Sequence, residues 1–277
     1  MPLEDELSDI IKKARAGLAM SVSDLSRRTG VSNADLQAIE KGGRPADHVQ
    51  LGLVAGGLGL GGNALSRIVF DHWEPAVPKP PAWIETVYGS IGGYGVQGYI
   101  VHDNGEALII DTAYNAPAMI ETLKARGLRL VGICLTHGHA DHAEGIDRIL
   151  DYQEAPVLLG SDDHDLLSWK PAARLMSSPP DGRVVQVGRK TIRCMATPGH
   201  TPGGICYVIS DQQDPLCFVG DTLFAGSIGR SNPATLYEVH LESVRKRVLT
   251  LPVGYRLLPG HGPATTVQEE LEHNPFA

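Results

Sequence analysis

The sequence predicts an α/β protein in which a small all-α segment precedes a larger domain of alternating strands and helices. Three observations lead there. A stretch at 71–83, DHWEPAVPKPPAW, carries Pro75, Pro78, Pro80 and Pro81, and so reads as an extended linker that joins neither a helix nor a central strand. Short helical patterns dominate before it. After it, β-runs such as EALIID and LVGICLTH alternate with helical runs such as PAMIETLKAR and EGIDRILDYQ. The expected division is therefore residues 1–70, the linker at 71–83, and residues 84–277.

Composition bounds the rest. With 42% hydrophobic and 20% charged residues the 277-residue chain can bury a core, which excludes a disordered or collagen-like polymer. The apolar stretch from Leu51 to Asn63 is shorter than the roughly 18 residues of a membrane span, and the start is acidic, unlike a signal peptide. No membrane partner and a cytoplasmic location are expected. The four cysteines, at 134, 194, 206 and 217, lack CxxC spacing and read as buried thiols. Net charge is −8, yet residues 1–70 balance at eight basic and eight acidic groups, leaving the larger part acidic. That disfavours nonspecific nucleic-acid binding by the C-terminal part, because phosphate binding rests on cation clusters.

In the N-terminal segment, Ser21 with Asp24 and Ser32 with Asp35 each mark a helix start, the serine accepting a backbone N–H and the acid suiting the helix dipole. A helix from about Val22, a turn at Thr29-Gly30-Val31 and a second helix over 33–40 follow, with Leu25, Val31, Leu36 and Ile39 facing one core. On the TGVS turn and the closing IEKG, residues 8–68 resemble the Cro/C1-type (XRE-like) helix-turn-helix domains. The resemblance implies Asn33 and Gln37 as base readers, with Arg27, Arg28 and Lys41 near phosphates. Against it, the segment is neutral and places Asp35 and Glu40 on the reading helix. A bundle for dimerisation, or for docking on the second domain, is the competing reading.

The strongest signal is THGHADH, where His137, His139, Asp141 and His142 follow the apolar run LRLVGICL. Imidazole and carboxylate suit zinc, iron or manganese, and positions 137 and 139 point the same way on extended backbone. Three histidines and an aspartate within six residues serve no packing purpose. TPGHTPGG adds His200, VGDTLF adds Asp221 and LLPGHGP adds His261, all at strand ends. His102, His164 and His240 read as ordinary strand, helix-start and helix-surface residues.

Together these motifs resemble the metallo-β-lactamase superfamily across about residues 84–264. The resemblance implies an αββα sandwich with two divalent metal ions at one edge, zinc favoured and iron or manganese open. It assigns His137, His139 and His200 to one metal, Asp141, His142 and His261 to the other, and Asp221 to both, with Asp141 and Asp221 as catalytic residues. Asp111 matches the strand-end aspartate that supports the site. Aspartate at 221, where the commonest zinc β-lactamases have cysteine, speaks against antibiotic hydrolysis.

GHTPGGICYVI, VGDTLFAGSIGR and the closing HNPF are similar to the glyoxalase II (hydroxyacylglutathione hydrolase) branch, which implies Tyr207 and Arg230 as contacts to the thiol half of the substrate. Only 16 residues follow His261, so the helical domain that completes the glutathione site in that branch is expected to be missing. A thiolate leaves without a general acid whereas an amide nitrogen needs a proton, so a small thioester is the expected substrate. The alternatives are an iron persulfide dioxygenase using His137, His200 and Asp221, and a transcriptional regulator with a metallo-hydrolase-like sensor. A homo-oligomer is expected in each case.

Overall fold

The computed structural model describes residues 1–76 and 79–277, so Pro78 of the expected linker lies outside the described residues. Helices α1 (Leu7–Gly17), α2 (Val22–Thr29), α3 (Asn33–Glu40), α4 (His48–Leu58) and α5 (Gly62–Phe70) come first. Ser21 and Asp24 cap α2 reciprocally, and Ser32 accepts the Asp35 amide at the start of α3. Gly30 closes α2 at φ 77°, a left-handed turn that costs glycine nothing. Leu25, Val31, Leu36 and Ile39 are all buried, as their spacing predicts.

The remaining chain forms two six-stranded sheets. The first runs β1 (Ile84–Ile91), β2 (Tyr94–Asp103), β3 (Glu106–Ile110), then, after α6 (Ala116–Ala125), β4 (Arg129–Cys134). Helices α7 (Ala140–Ala143) and α8 (Ile146–Tyr152) precede its last strands, β5 (Val157–Leu158) and β6 (Met176–Ser177). The second sheet holds β7 (Val184–Val187), β8 (Lys190–Ala196), β9 (Ile205–Ile209) and β10 (Leu216–Gly220). After α9 (Tyr237–Ser243) it is completed by β11 (Arg256–Pro259) and β12 (Thr265–Thr266), and α10 (Val267–His273) follows. Pairs β3/β4 and β10/β11 are parallel, so their C-terminal ends open on one edge of the sandwich.

Strand β9, ICYVI, has no exposed residue because both of its faces are covered. Ile205, Tyr207 and Ile209 join the core between the sheets, while Cys206 and Val208 face the helices outside the second sheet. Helices α6 and α8 cover the first sheet through Met119, Leu123, Ile146 and Ile149. The layers are thus α, β, β, α. All four cysteines are buried thiols.

The N-terminal helices are docked. One apolar cluster joins Ile10, Leu25, Leu51 and Leu65 to Val208, Val219, Tyr237 and Val244. Gly17, at the end of α1, lies on the Tyr237 ring so closely that a Cβ would fall 2.2 Å from Cγ. Trp73, in the Pro-rich stretch, stacks on His273 of α10 with ring centroids 4.6 Å apart. The stretch divides the sequence by composition, but helices α1–α5 and the second sheet share one core. Of the two competing readings of residues 8–68, docking has this packing behind it. Helices at the positions of α2 and α3 do not by themselves make a DNA-binding domain.

Candidate metal centre

The site is assembled where β3, β4 and β10 end. Asp111 follows β3 in the left-handed region, at φ 56°, a conformation that costs a non-glycine residue energy and persists only where its contacts hold it. Its buried carboxylate accepts the Thr136 amide and hydroxyl, each at 2.7 Å, and the Nδ1–H of His142 at 2.8 Å. The end of β4 and the helix α7 are thereby tied to one anion. His142 is left with Nε2 toward the site.

The other histidines are oriented in the same manner. His200 donates from Nδ1 to the Arg230 carbonyl at 2.7 Å, and His261 donates from Nδ1 to the Gly95 carbonyl at 2.6 Å. Each thereby turns Nε2, its candidate ligand atom, toward the cluster. The rings of His137, His139 and His200 stand nearly perpendicular to one another with centroids 4.6–4.9 Å apart. Candidate ligand atoms of His137, His139 and His200 lie within 4.8 Å of one another, as do those of His142, Asp221 and His261, and those of His137, Asp141 and His142.

Asp221 sits between the groups. Its Oδ1 is 3.2 Å from His142 Nε2, and its Oδ2 is 3.6 Å from both His200 Nε2 and His261 Nε2. Asp141 Oδ2 approaches His261 Nε2 at 3.2 Å. Gly260 makes room for the contact between His142 and Asp221, because a Cβ there would meet His142 Cε1 at 2.3 Å and Asp221 Oδ1 at 2.6 Å.

A cation fits these donors. Buried His137 Nε2 and Asp221 Oδ1 have no hydrogen-bond partner, which is costly unless a ligand satisfies them. His139 Nδ1 and His200 Nε2 stand 3.0 Å apart, and the Nε2 atoms of His142 and His261 3.4 Å apart. Nitrogens bound tetrahedrally at about 2.0–2.1 Å stand roughly 3.3–3.4 Å from one another.

Electrostatics divides the site. Burial pushes His137 well below the usual imidazole range and His200 down to about 3, so both are neutral and able to coordinate at pH 7. Burial acts the same way on His142 and His261, but Asp221 outweighs it, aided by Asp111 at His142 and by Asp141 at His261. His142 is held well above its ordinary value and His261 is lifted to about 9. Burial likewise opposes the charge on Asp221, which the cationic His142 and His261 nevertheless keep ionised. Protons here balance carboxylates that a metal ion would balance instead.

Three expectations change on contact with the structure. Tyr207 is fully buried between the sheets and spends its hydroxyl on the Leu135 carbonyl at 2.8 Å, so it anchors the strand end behind the site and offers no substrate contact. Glu40 turns inward to pair with Arg15 instead of presenting a charge on α3. His240 is no surface residue: it is fully buried, donates from Nε2 to the Thr222 carbonyl at 2.8 Å, and accepts the Ser231 hydroxyl at Nδ1. Arg230 is exposed on the rim, its carbonyl on His200. Arg27, Arg28, Asn33, Gln37 and Lys41 are exposed on α2, α3 and the residue after it, remote in sequence from the ligands.

Asp163 escapes sequence reasoning altogether. Buried in the 3-10 turn Ser161–Leu166, it accepts the Gly138 amide, the Thr201 hydroxyl and the Gly203 amide, joining the loop of His137 and His139 to the loop of His200. Nothing in SDDHDL distinguishes it from its surface neighbours, because its partners come from two distant loops.

Five imidazoles and two carboxylates, buried or half-buried at the open edge of a four-layer sandwich, define the site of a metal-dependent hydrolase fold. The family described as the metallo-beta-lactamase superfamily matches residues 91–261, and the chain belongs to it. Hydroxyacylglutathione hydrolase GloC of Haemophilus influenzae is 31% identical over 190 residues, covering 63% of this chain and 88% of GloC. Among solved structures, BLEG-1 B3 metallo-beta-lactamase superposes with a TM-score of 0.62 at 29% identity, covering 70% of this chain and 98% of its own. TTHA1623 in a di-iron-bound form gives 0.60 at 27%, covering 69% and 100%. Helices α1–α5 lie outside the family match. Among the described residues, no helix is long and apolar enough to cross a membrane.

Proposed function

We propose that this protein hydrolyses a small thioester of the acylglutathione type at a centre of two divalent metal ions. The observation that carries the reading is the position of Asp221, whose two carboxylate oxygens address His142 on one side and His200 and His261 on the other. His137, His139 and His200 would hold one ion, Asp141, His142 and His261 the second, and Asp221 would contribute to both. Bound divalent cations of this kind supply a nucleophilic water at neutral pH and a Lewis acid for the substrate carbonyl.

The chain's own residues set the rest. Asp141 or Asp221 would take one proton from that water and orient what remains by hydrogen bonding, while His200 and His261 are fixed by the carbonyls of Arg230 and Gly95. Among the described residues no tyrosine or lysine approaches as general acid in the described contacts of this cluster, which suits a thiolate leaving group better than an amine. Arg230 on the rim is the candidate contact for the carrier's carboxylates. The similarity to GloC supports the substrate class, and TTHA1623 supports a two-metal centre with iron as an alternative to zinc.

Metal analysis of the purified protein with turnover of an acylglutathione thioester, a matched amide and a β-lactam tests this reading. Two equivalents of metal with thioester hydrolysis in large excess over the others are expected. One iron with oxygen uptake on a persulfide would replace it with the dioxygenase, and hydrolysis of the β-lactam alone would move the substrate class. For residues 8–68 we favour docking over DNA recognition, on the strength of the shared core.

A further inference from the structure

We propose that the N-terminal helical segment is a working part of the metal site, with Asp5 and Lys13 as positioning residues for the loop at 222–230. The inference rests on the reading of the site as a metal centre, and extends it to residues outside the family match. The loop begins directly after Asp221 and ends on Arg230, whose carbonyl fixes His200. Whatever holds the loop therefore sets the separation of two metal-ligand side chains.

The segment before and within α1 grips its interior. Ser227 Oγ donates to Asp5 Oδ2 at 2.5 Å, and Lys13 Nζ donates to the Ile228 carbonyl at 2.8 Å and to the same Asp5 oxygen at 2.5 Å. Lys13 Nζ also lies 5.1 Å from the centroid of Phe224, whose ring stands edge-on to His261 at 5.8 Å. The slack between this grip and the ligands is small. Gly229, next to Ile228, packs so tightly that a Cβ would fall 2.0 Å from the Asp221 carbonyl oxygen and 2.9 Å from His200 Nδ1.

A second contact points the same way. Glu4 packs its backbone against Gly262, beside His261, leaving 3.1 Å to a Cβ built there. The side chains of Lys13 and Asp5 retain only 10% and 8% of their exposure. Burying an ion pair is a poor way to add stability, since two desolvated charges roughly offset their attraction. Its use here is directional: two hydrogen bonds reach two adjacent loop residues, Ser227 and Ile228, and a third ties Lys13 to Asp5, where an apolar pair would fill space without fixing the carbonyl of Ile228.

The test compares wild-type protein with the double variant Asp5→Asn/Lys13→Met, which removes both charges together, and with Ser227→Ala. Zinc affinity is measured by competition with a chromogenic chelator, alongside kcat, KM and the thermal midpoint. The expected result is a midpoint near wild type, zinc affinity weakened roughly 10–100-fold in the double variant, as for loss of an outer partner of a metal ligand, and kcat lowered with KM within about twofold. Lys13→Arg, which keeps the donor, should recover most of the affinity. A folded double variant that retains zinc as wild type does overturns the proposal, and so does one that unfolds, since the pair would then be structural. Because zinc retention needs no substrate, an absence of thioester turnover in wild type would count against the proposed reaction and leave this measurement decisive.

Discussion

Asp111 accepts the Nδ1–H of His142 at 2.8 Å and thereby decides which nitrogen of His142 faces Asp221. The same carboxylate holds both the amide and the hydroxyl of Thr136, so one anion sets the register between β4 and the helix that carries Asp141 and His142.

Asp111→Asn should weaken zinc binding by roughly 10–100-fold, the usual cost of losing the carboxylate partner of a ligating histidine. An amide can donate through its nitrogen, so the tautomer of His142 is no longer dictated. Isothermal titration with zinc reads the effect, and wild-type affinity would show that Asp111 serves only the strand end.

Asp221→Asn and His200→Ala should each cost more than that, because they remove candidate ligand atoms themselves. Asp221→Asn should reduce turnover far more than it lowers the thermal midpoint of the metal-free protein. Parallel loss of both would make Asp221 a structural residue.

Arg230→Ala should raise KM for an acylglutathione by roughly twofold to fivefold, the size of an exposed ion pair, with kcat nearly constant. An unchanged KM would place the carrier elsewhere.

Glu270 gives a pH signature. Burial lifts it to about 7, against hydrogen bonds from Thr265, Asn274 and the Gly226 amide that favour its charge. Between its ordinary value near 4.5 and 7 the folded state then binds more protons than the unfolded one, so this contribution to stability is full below 4.5 and is lost as pH rises to 7. Relative to wild type, Glu270→Gln should flatten metal-free stability across that window and add on the order of 1–3 kcal/mol above it. Urea midpoints at pH 5 and 8 provide the check; parallel profiles would mean Glu270 is ionised throughout.

Deleting residues 1–75 should leave Val208, Val219, Tyr237 and Val244 facing water, and the product should aggregate or bind a hydrophobic dye. By contrast, Arg27→Glu with Arg28→Glu should leave solubility and hydrolysis unchanged, since both side chains are exposed on α2. A soluble, active truncated protein would restore the picture of a detachable appendage, and a gel shift that this charge reversal abolishes would restore DNA recognition.

The sequence by itself determined the class of the fold, the caps and the turn of α2 and α3, the buried state of the four cysteines, and the seven residues the structure gathers at the sheet edge. These were legible because each depends on near neighbours: a serine caps an amide three residues away, and THGHADH carries four ligand-type side chains in one loop. Only the tertiary structure decided what Tyr207, Asp163, His240, Glu40 and Lys13 do. A tyrosine in β9 faces whichever sheet covers it, a buried carboxylate takes its meaning from amides on loops about 25 and 40 residues distant, and a Pro-rich stretch cannot show whether the helices before it lie on the domain behind it. That last relation arose from apolar area on both sides that neither part could bury alone, and it brings Asp5 and Lys13 within reach of the loop after Asp221.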